Sequence, residues 1–482
     1  MRLRRLLPVF VALPLAAAEY VSPAGIRPAT RRPGAATILP GGRVISSLGT
    51  QYVTGPGPFG LAISPDGRTL VTADGGPNRY SLTVLERGRE IPWTVRHLVA
   101  PKPQPGESGD DDWRSVFMGL AFSGDRTVFA SEGNSGRVRL VDLADGRARR
   151  VYDLNQDGYS DSYTADLAFD PQRSLLYVVD QANFRLAVID TRRHRVAASV
   201  RLGRLPFSIA LSPDRRKVYV TNLGMFEYRA LPGADPKRAA QTGLPFPAFG
   251  FPSPEARDGA RRETAAGPVD VPGLGDPDVR ESNSVSVVDV SDPAAPRLET
   301  HIRTGLPFGE GSHGGSSPSG VLAAGGRVYV SNGHNDSITV INAATNAVEK
   351  EIPLRIPGLE ALRGVLPIGL AFHQPTGWLL VAEAGINAVG VIDTRAMKAI
   401  GHMPVSWFPT RVLVAGNDVW VTNARGQGVG PNARDDGSPT FAGALRRGAV
   451  SSCRIALPAA LFDVVQLLAP QIRLAPEVAD AL

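Results

Sequence analysis

Apolar residues in this chain recur at every second position in short runs, and one run is rewritten along the sequence. Lys217-Val218-Tyr219-Val220-Thr221-Asn222 returns as Arg327-Val328-Tyr329-Val330-Ser331-Asn332, as Asp418-Val419-Trp420-Val421-Thr422-Asn423 and as Leu175-Leu176-Tyr177-Val178-Val179-Asp180. A period of two, bounded by turn residues, predicts a half-buried β-strand. Before each copy stands a second apolar run and a tight turn, as in Ser208-Ile209-Ala210-Leu211-Ser212-Pro213-Asp214 and Gly60-Leu61-Ala62-Ile63-Ser64-Pro65-Asp66-Gly67. That order reads as strand, turn, strand. Each hairpin continues into a third strand that usually ends in an apolar-Asp pair, and then into a more polar fourth strand.

Seven such units follow one another, opening near Gly60, Gly119, Asp166, Ser208, Ser319, Ile368 and Thr410. Four short strands per repeat, recurring about every 40–60 residues, fit propeller blades rather than helical solenoids or β-helices. The seventh unit supplies three strands of its own, and a lone strand at residues 43–54 supplies the fourth. The sequence therefore predicts an all-β seven-bladed β-propeller with four-stranded blades, its ring closed by the N-terminal strand joining the last blade. Such closure removes the open edges that template aggregation. Gly 52 and Pro 41 agree with this, since they fall as punctuation between the runs.

Composition adds a compartment. Met1-Arg2-Leu3-Arg4-Arg5, the apolar run Leu6 to Leu15 and the small residues Ala16-Ala17-Ala18 have the three parts of a secretory signal peptide, predicting cleavage after residue 18 and a periplasmic or extracellular protein. Residues 19–42 then form an N-terminal arm without periodicity, 43–458 the propeller, and 459–482 a short helix and tail, with Ala459 to Leu468 amphipathic. Loss of Arg2, Arg4 and Arg5 lowers the net charge from +6 to +3, which is no nucleic-acid footprint. The single cysteine, Cys453, excludes an intrachain disulfide.

At Val218-Tyr219-Val220-Thr221-Asn222 the chain resembles the YVTN-repeat β-propellers of bacterial exported proteins. Asp161 to Phe169, Asn335 to Ile341, Gly385 to Val389 and Ser406 to Thr410 resemble more closely a branch in which the propeller precedes an alkaline-phosphatase-superfamily phosphoesterase domain. The resemblance covers residues 40–458. It implies a propeller whose partner is a phosphoesterase, but the domain with that activity's metal ligands and nucleophile has no counterpart in the residues that follow.

Loop lengths point to one binding face. First-to-second turns are short, whereas residues 101–115, 153–165, 223–282, 305–318, 355–366 and 426–447 all fall on the side where second strands end. Long loops on a rigid scaffold are where binding concentrates. The insertion 223–282, with Phe246, Phe249 and Phe251, reads as a lid over the channel or a docking arm.

One polar cluster per blade is expected at the channel mouth on that face: Asp74 and Asn78, Glu132 and Asn134, Asp180 and Asn183, Asn222, Asn332 with His334 and Asp336, Glu383 and Asn387, and Asn423. Such residues bind a cation, a sugar or a peptide, or else cap their own turns. Asp153, Asn155, Asp157 and Asp161, around Gly158, have the alternating oxygens of a calcium loop, but Thr164 stands where an EF-hand needs Glu. Asp110-Asp111-Asp112 reads as a solvated charge run. Only His313 and His334 of the seven histidines fall in loops of this face, which argues against a multi-copper site, and no catalytic motif is present.

The expectation is an exported scaffold recognising a small molecule, glycan or protein. The alternative is a metal-dependent propeller hydrolase or lactonase, or the propeller subunit of a phosphoesterase.

Overall fold

A computed structural model describes residues 22–31, 35–76, 80–88, 93–99, 115–235, 238–244, 248–309, 312, 314–428 and 447–455. They form seven four-stranded antiparallel sheets and two two-stranded ones. Blade one is Pro58–Ile63, Thr69–Asp74, Ser81–Glu86 and Thr94–Val99; blade two is Leu120–Phe122, Thr127–Ser131, Arg137–Asp142 and Ala148–Asp153. Blade three is Thr164–Asp170, Leu175–Asp180, Arg185–Asp190 and Arg195–Arg201; blade four is Pro206–Leu211, Lys217–Asn222, Ser284–Asp289 and Arg297–Arg303. Blade five is Pro318–Ala324, Arg327–Asn332, Ser337–Asn342 and Val348–Pro353; blade six is Pro367–His373, Trp378–Glu383, Ala388–Asp393 and Lys398–Pro404. Blade seven takes Pro409–Ala415, Asp418–Asn423 and Gly448–Arg454 from the end of the chain and Thr50–Thr54 from its beginning. Pairing runs from Thr50 opposite Ser452 to Thr54 opposite Gly448, so the expected closure of a seven-bladed ring is present.

The repeated run is the second strand of its blade, and each of its positions has a separate task. Val218 and Val220 enter the apolar layer shared with blade three, while Tyr219, on the opposite side of the strand, enters the layer shared with blade five. Every blade-to-blade contact has one such layer, seven in all among the described residues. Burying these side chains, at about 25 cal/mol per Å² of apolar surface, is the main force holding the ring together. Thr221 Oγ1 accepts the N–H of Ser208 at 2.9 Å, and Asn222 Nδ2 donates to Ser284 and Ser286 at 3.0 Å each. The threonine thus ties the second strand to the first and the asparagine ties it to the third.

First strands lie innermost and pack backbone against backbone. A Cβ at Gly60, Gly119, Gly320 or Gly369 would come within 2.2, 2.6, 2.1 and 2.5 Å of the carbonyl oxygen of Met118, Ala165, Ile368 and Thr410, each in the next blade. Five of these strands begin with proline: Pro58, Pro206, Pro318, Pro367 and Pro409. A missing N–H is tolerated on an edge strand.

Two expectations need correction. The stretch 43–54 is two strands, because Gly49, at φ +71°, breaks it. Val44–Ile45 pairs with Thr37–Ile38, and only Thr50–Thr54 joins blade seven. Consequently the N-terminal arm, expected to lack periodic structure, carries a strand and a buried contact: Leu39 is fully buried with Ile45 against Trp407.

The insertion in blade four also folds. Ser253 caps the helix Pro254–Asp258 by accepting the Ala256 N–H at 3.0 Å, and Gly259–Thr264 pairs with Gly267–Pro272. Arg204 roots it, donating to the carbonyls of Met225 and Asp276 at 2.6 Å each. No helix among the described residues is long and apolar enough to cross a membrane. The signal segment 1–18, the helix expected at Ala459 to Leu468, the charge run Asp110 to Asp112, and Asn78, Phe246 and His313 lie outside the described residues.

Candidate functional site

The strand-end residues do not meet at a channel mouth. Asp74, Asp180, Asn222, Asn332, Glu383 and Asn423 are fully buried, each inside its own blade, and Glu132 is nearly so. Each second strand ends beside polar side chains of the third and fourth, and buried polar groups must be hydrogen-bonded. Asp74 accepts from Thr72, Ser81 and Thr83 at 2.7, 2.9 and 2.6 Å, and Thr83 in turn meets His97 Nδ1 at 2.9 Å. Burial, opposed by these hydroxyls, pushes the Asp74 carboxyl up to about 7.

The same ladder recurs with other chemistry. Asn222 and Ser286 continue to His301, Asn332 and Thr339 to Glu351, and Asn423 and Ser451 to Gln51. In blade six the third-strand residue is Gly390, whose Cβ would fall 2.3 Å from Glu383 Oε1, so the longer glutamate reaches His402 directly at 2.6 Å. Burial works against charge on His402, but the Glu383 carboxylate outweighs it and the histidine is pushed up. Blades two and three use arginine instead: Glu132 pairs with Arg137 and Arg139, and Asp180 with Arg185.

The residues of the second-to-third turns divide. Asp336, nearly buried, accepts the N–H groups of Gly364 and Leu366 at 2.7 and 2.9 Å; Asn387 accepts that of Phe408 at 3.0 Å. Both latch the loop that crosses to the next blade, as does Asn283, which accepts from Ser317 at 2.9 Å. Asn183 donates to Ser160, Ser162 and Asp180, and Asn134 accepts from Ser115 at 2.7 Å. His334 is exposed.

The expected calcium loop closes on itself. Asp153 accepts the Asn155 N–H at 2.8 Å and its side-chain N–H at 3.0 Å, and Asn155 Oδ1 accepts the Ser162 N–H at 2.8 Å. Asp157 and Asp161 are exposed in left-handed conformation. Among the described residues no three His, Cys, Asp or Glu side chains gather to hold a metal ion.

Two layers cross the axis of the ring. Phe59 of blade one, Phe117 at the entry to blade two and Phe207 of blade four meet with centroids 6.2–6.3 Å apart. Arg411 of blade seven reaches Asp166 of blade three at 2.8 Å. A line from blade one to blade four crosses one from blade seven to blade three, so the layers lie at different depths. Asp166 also accepts from Ser208 Oγ at 2.9 Å. Asp166, Ser208 and Arg411 occupy the register position that is glycine in the other four inner strands, a departure visible in the repeats once they are aligned with one another.

The loop-rich face carries an open cleft of 190 Å³ between the N-terminal arm and blade six. Val44, Ile45, Ile356, Ile386, Pro404 and Val405 give it apolar walls, and Arg43 stands at its rim. The arm is fastened beside it by Leu48 N donating to the Pro404 carbonyl at 3.0 Å and by the contact of Ser47 with Ser406 at 2.9 Å. On the same face the insertion exposes Tyr228 and Phe251, which meet Phe226 and Phe308. Sequence reasoning missed the cleft, since its two walls are more than 300 residues apart in the chain.

Fold and face define a seven-bladed β-propeller with a decorated face and a filled axis. No family model matches the chain, and no curated protein matches it. Among solved structures, Kuenenia stuttgartiensis hydrazine synthase is similar over 84% of this chain and 97% of that one, at 16% identity and TM-score 0.51. A functionally unknown protein from Desulfotomaculum acetoxidans DSM 771 covers 72% of this chain and 84% of its own, at 15% identity and TM-score 0.44. The first likeness is one of fold; the second carries no argument.

Proposed function

We propose that this protein is an exported binding scaffold of the YVTN-repeat kind that takes a ligand or protein partner on its loop-rich face. The observation that carries the reading is the asymmetry of the two faces. One face bears the arm, the folded insertion, the exposed aromatic side chains and the 190 Å³ cleft, while the other has tight turns such as Ser64 to Arg68, where Ser64 Oγ donates to Asp66 at 2.5 Å. A filled axis favours a ligand seated on the face over one passing through the ring. The metal-dependent hydrolase reading would draw on Asp74, Asp180 and Glu383, which the blades already use as internal hydrogen-bond partners.

Photo-crosslinking residues at Ser46 and Tyr228, compared with Pro65 and Arg215 on the opposite face, test the reading in cells that make the protein. Crosslinked products are expected from the first pair alone. Products from the second pair alone, or equally from both, would overturn it. The mass of the protein recovered from the periplasm tests export separately, with loss of residues 1–18 expected.

A further inference from the structure

We propose that the cleft beside Val44 seats an extended acidic peptide, which adds a strand to the small sheet of the N-terminal arm. The proposal rests on the reading of the loop-rich face as a binding face and names the class of ligand.

Hydrogen-bond direction carries the argument. Leu39 N donates to the Arg43 carbonyl at 2.7 Å, so the neighbouring pair Ile38 and Val44 is a non-hydrogen-bonded one, whose N–H and C=O groups point away from each other. Ile38 uses its outward pair on Thr30, with both bonds at 3.0 Å. Val44 therefore turns its own N–H and C=O to the other side, and neither meets a described partner.

That side is the cleft. Arg43, Val44, Ile45 and Ser46 line it consecutively, as a strand edge does; the face of a sheet would offer alternate residues. Thr37 and Ile38, across the strand, do not line it.

A peptide residue lying here would bond Val44 as Thr30 bonds Ile38. Its side chain would enter the walls made by Ile356, Ile386, Pro404 and Val405. Main-chain pairing for affinity, with pockets for alternate side chains, is the general mode of strand addition. An aliphatic small molecule would match the walls and ignore the Val44 amide, while a sugar would match the amide and waste the walls. Arg43 is exposed at the rim, so a charge-complementary occupant carries Asp or Glu.

The probe is acetyl-Val-Leu-Val-Asp-amide, added to the exported protein while binding and hydrogen exchange at the Val44 amide are followed. Saturable binding that slows Val44 exchange is expected. Methylating the peptide nitrogens should abolish it, Ser46→Trp should block it, and Arg43→Glu should weaken it about tenfold, with recovery when Lys replaces the Asp of the probe. Equal binding of the methylated peptide, unchanged Val44 exchange or no saturation at millimolar probe would overturn the proposal. So would a Val44 amide already protected without probe, since the chain's own residues would then pair there. Crosslinks from Tyr228 without peptide binding would remove the peptide seat and leave the face reading standing. Peptide binding without crosslinks from either loop-face residue would leave the peptide seat standing and remove the partner expected in cells.

Discussion

Two rings of equivalent positions run round this molecule, and they differ in what repetition means. One is the end of the second strand, polar in every blade: Asp74, Glu132, Asp180, Asn222, Asn332, Glu383 and Asn423. The other is the register position of Gly60, in the innermost strand of six blades and just before it in blade two, which is glycine in four blades and Asp166, Ser208 and Arg411 in three. Polar residues that recur in all seven units solve a problem that every unit has, the tying of strand two to strands three and four. Where a single unit departs from the repeat, its side chain does something only one place needs, here the filling of the axis. In a repeat protein the individual departures are thus better guides to special features than the shared polar positions.

The contrast can be broken most forcefully in blade six. Glu383→Ala leaves His402 buried without its carboxylate, and removing one partner of a buried pair costs about 3–5 kcal/mol; chemical denaturation should show that loss, whereas a change near zero would mean the ladder does not lock the blade. In blade one the ladder has a pH signature. The folded-state carboxyl of Asp74, near 7, lies above its ordinary value of 3.8. Its stabilising contribution is therefore complete below pH 4 and lost as pH rises through about 7. Asp74→Asn, which installs the residue that blades four, five and seven already use, should gain on the parent across that window, by up to about 4 kcal/mol at a limiting slope of about 1.4 kcal/mol per pH unit. Parallel stability-against-pH curves for the two proteins would refute it.

The inner ring gives smaller effects. Gly320→Ala places a methyl against the Ile368 carbonyl and should cost about 1–3 kcal/mol in thermal or denaturant unfolding. At the equivalent register Arg411→Gln loosens a largely buried pair and should cost about 1–3 kcal/mol, toward the lower figure, because Asp166 keeps Ser208 Oγ and the Leu167 N–H. If Arg411→Gln proved the more damaging, the axis would be a keystone and the distinction between the rings would fail.

The blades were legible because their signal is local. Val-Tyr-Val-Thr-Asn carries alternation, a hydroxyl and an amide at fixed spacing, and each of those features is used within one blade or against its neighbour. Gly49 was the local signal that the stretch 43–54 breaks in two. The site was much less legible. Asp74 and Asn222 have the composition of ligands, and only their depth, fully inside a blade, identifies them as caps. Asp336 and Asn387 look like solvent-facing turn residues until their oxygens are found on the backbone of the next crossing loop.

The sequence by itself determined the number of blades, the order of strands and the closure of the ring, since periodicity and a missing fourth strand are properties of the chain. Tertiary structure alone decided where polar atoms are spent and where backbone is left open. The cleft arises because residues near 44, 356, 386 and 405 become neighbours only when the ring closes, and a hydrogen bond left unmade at Val44 is a fact about partners in space, which no spacing along the chain records.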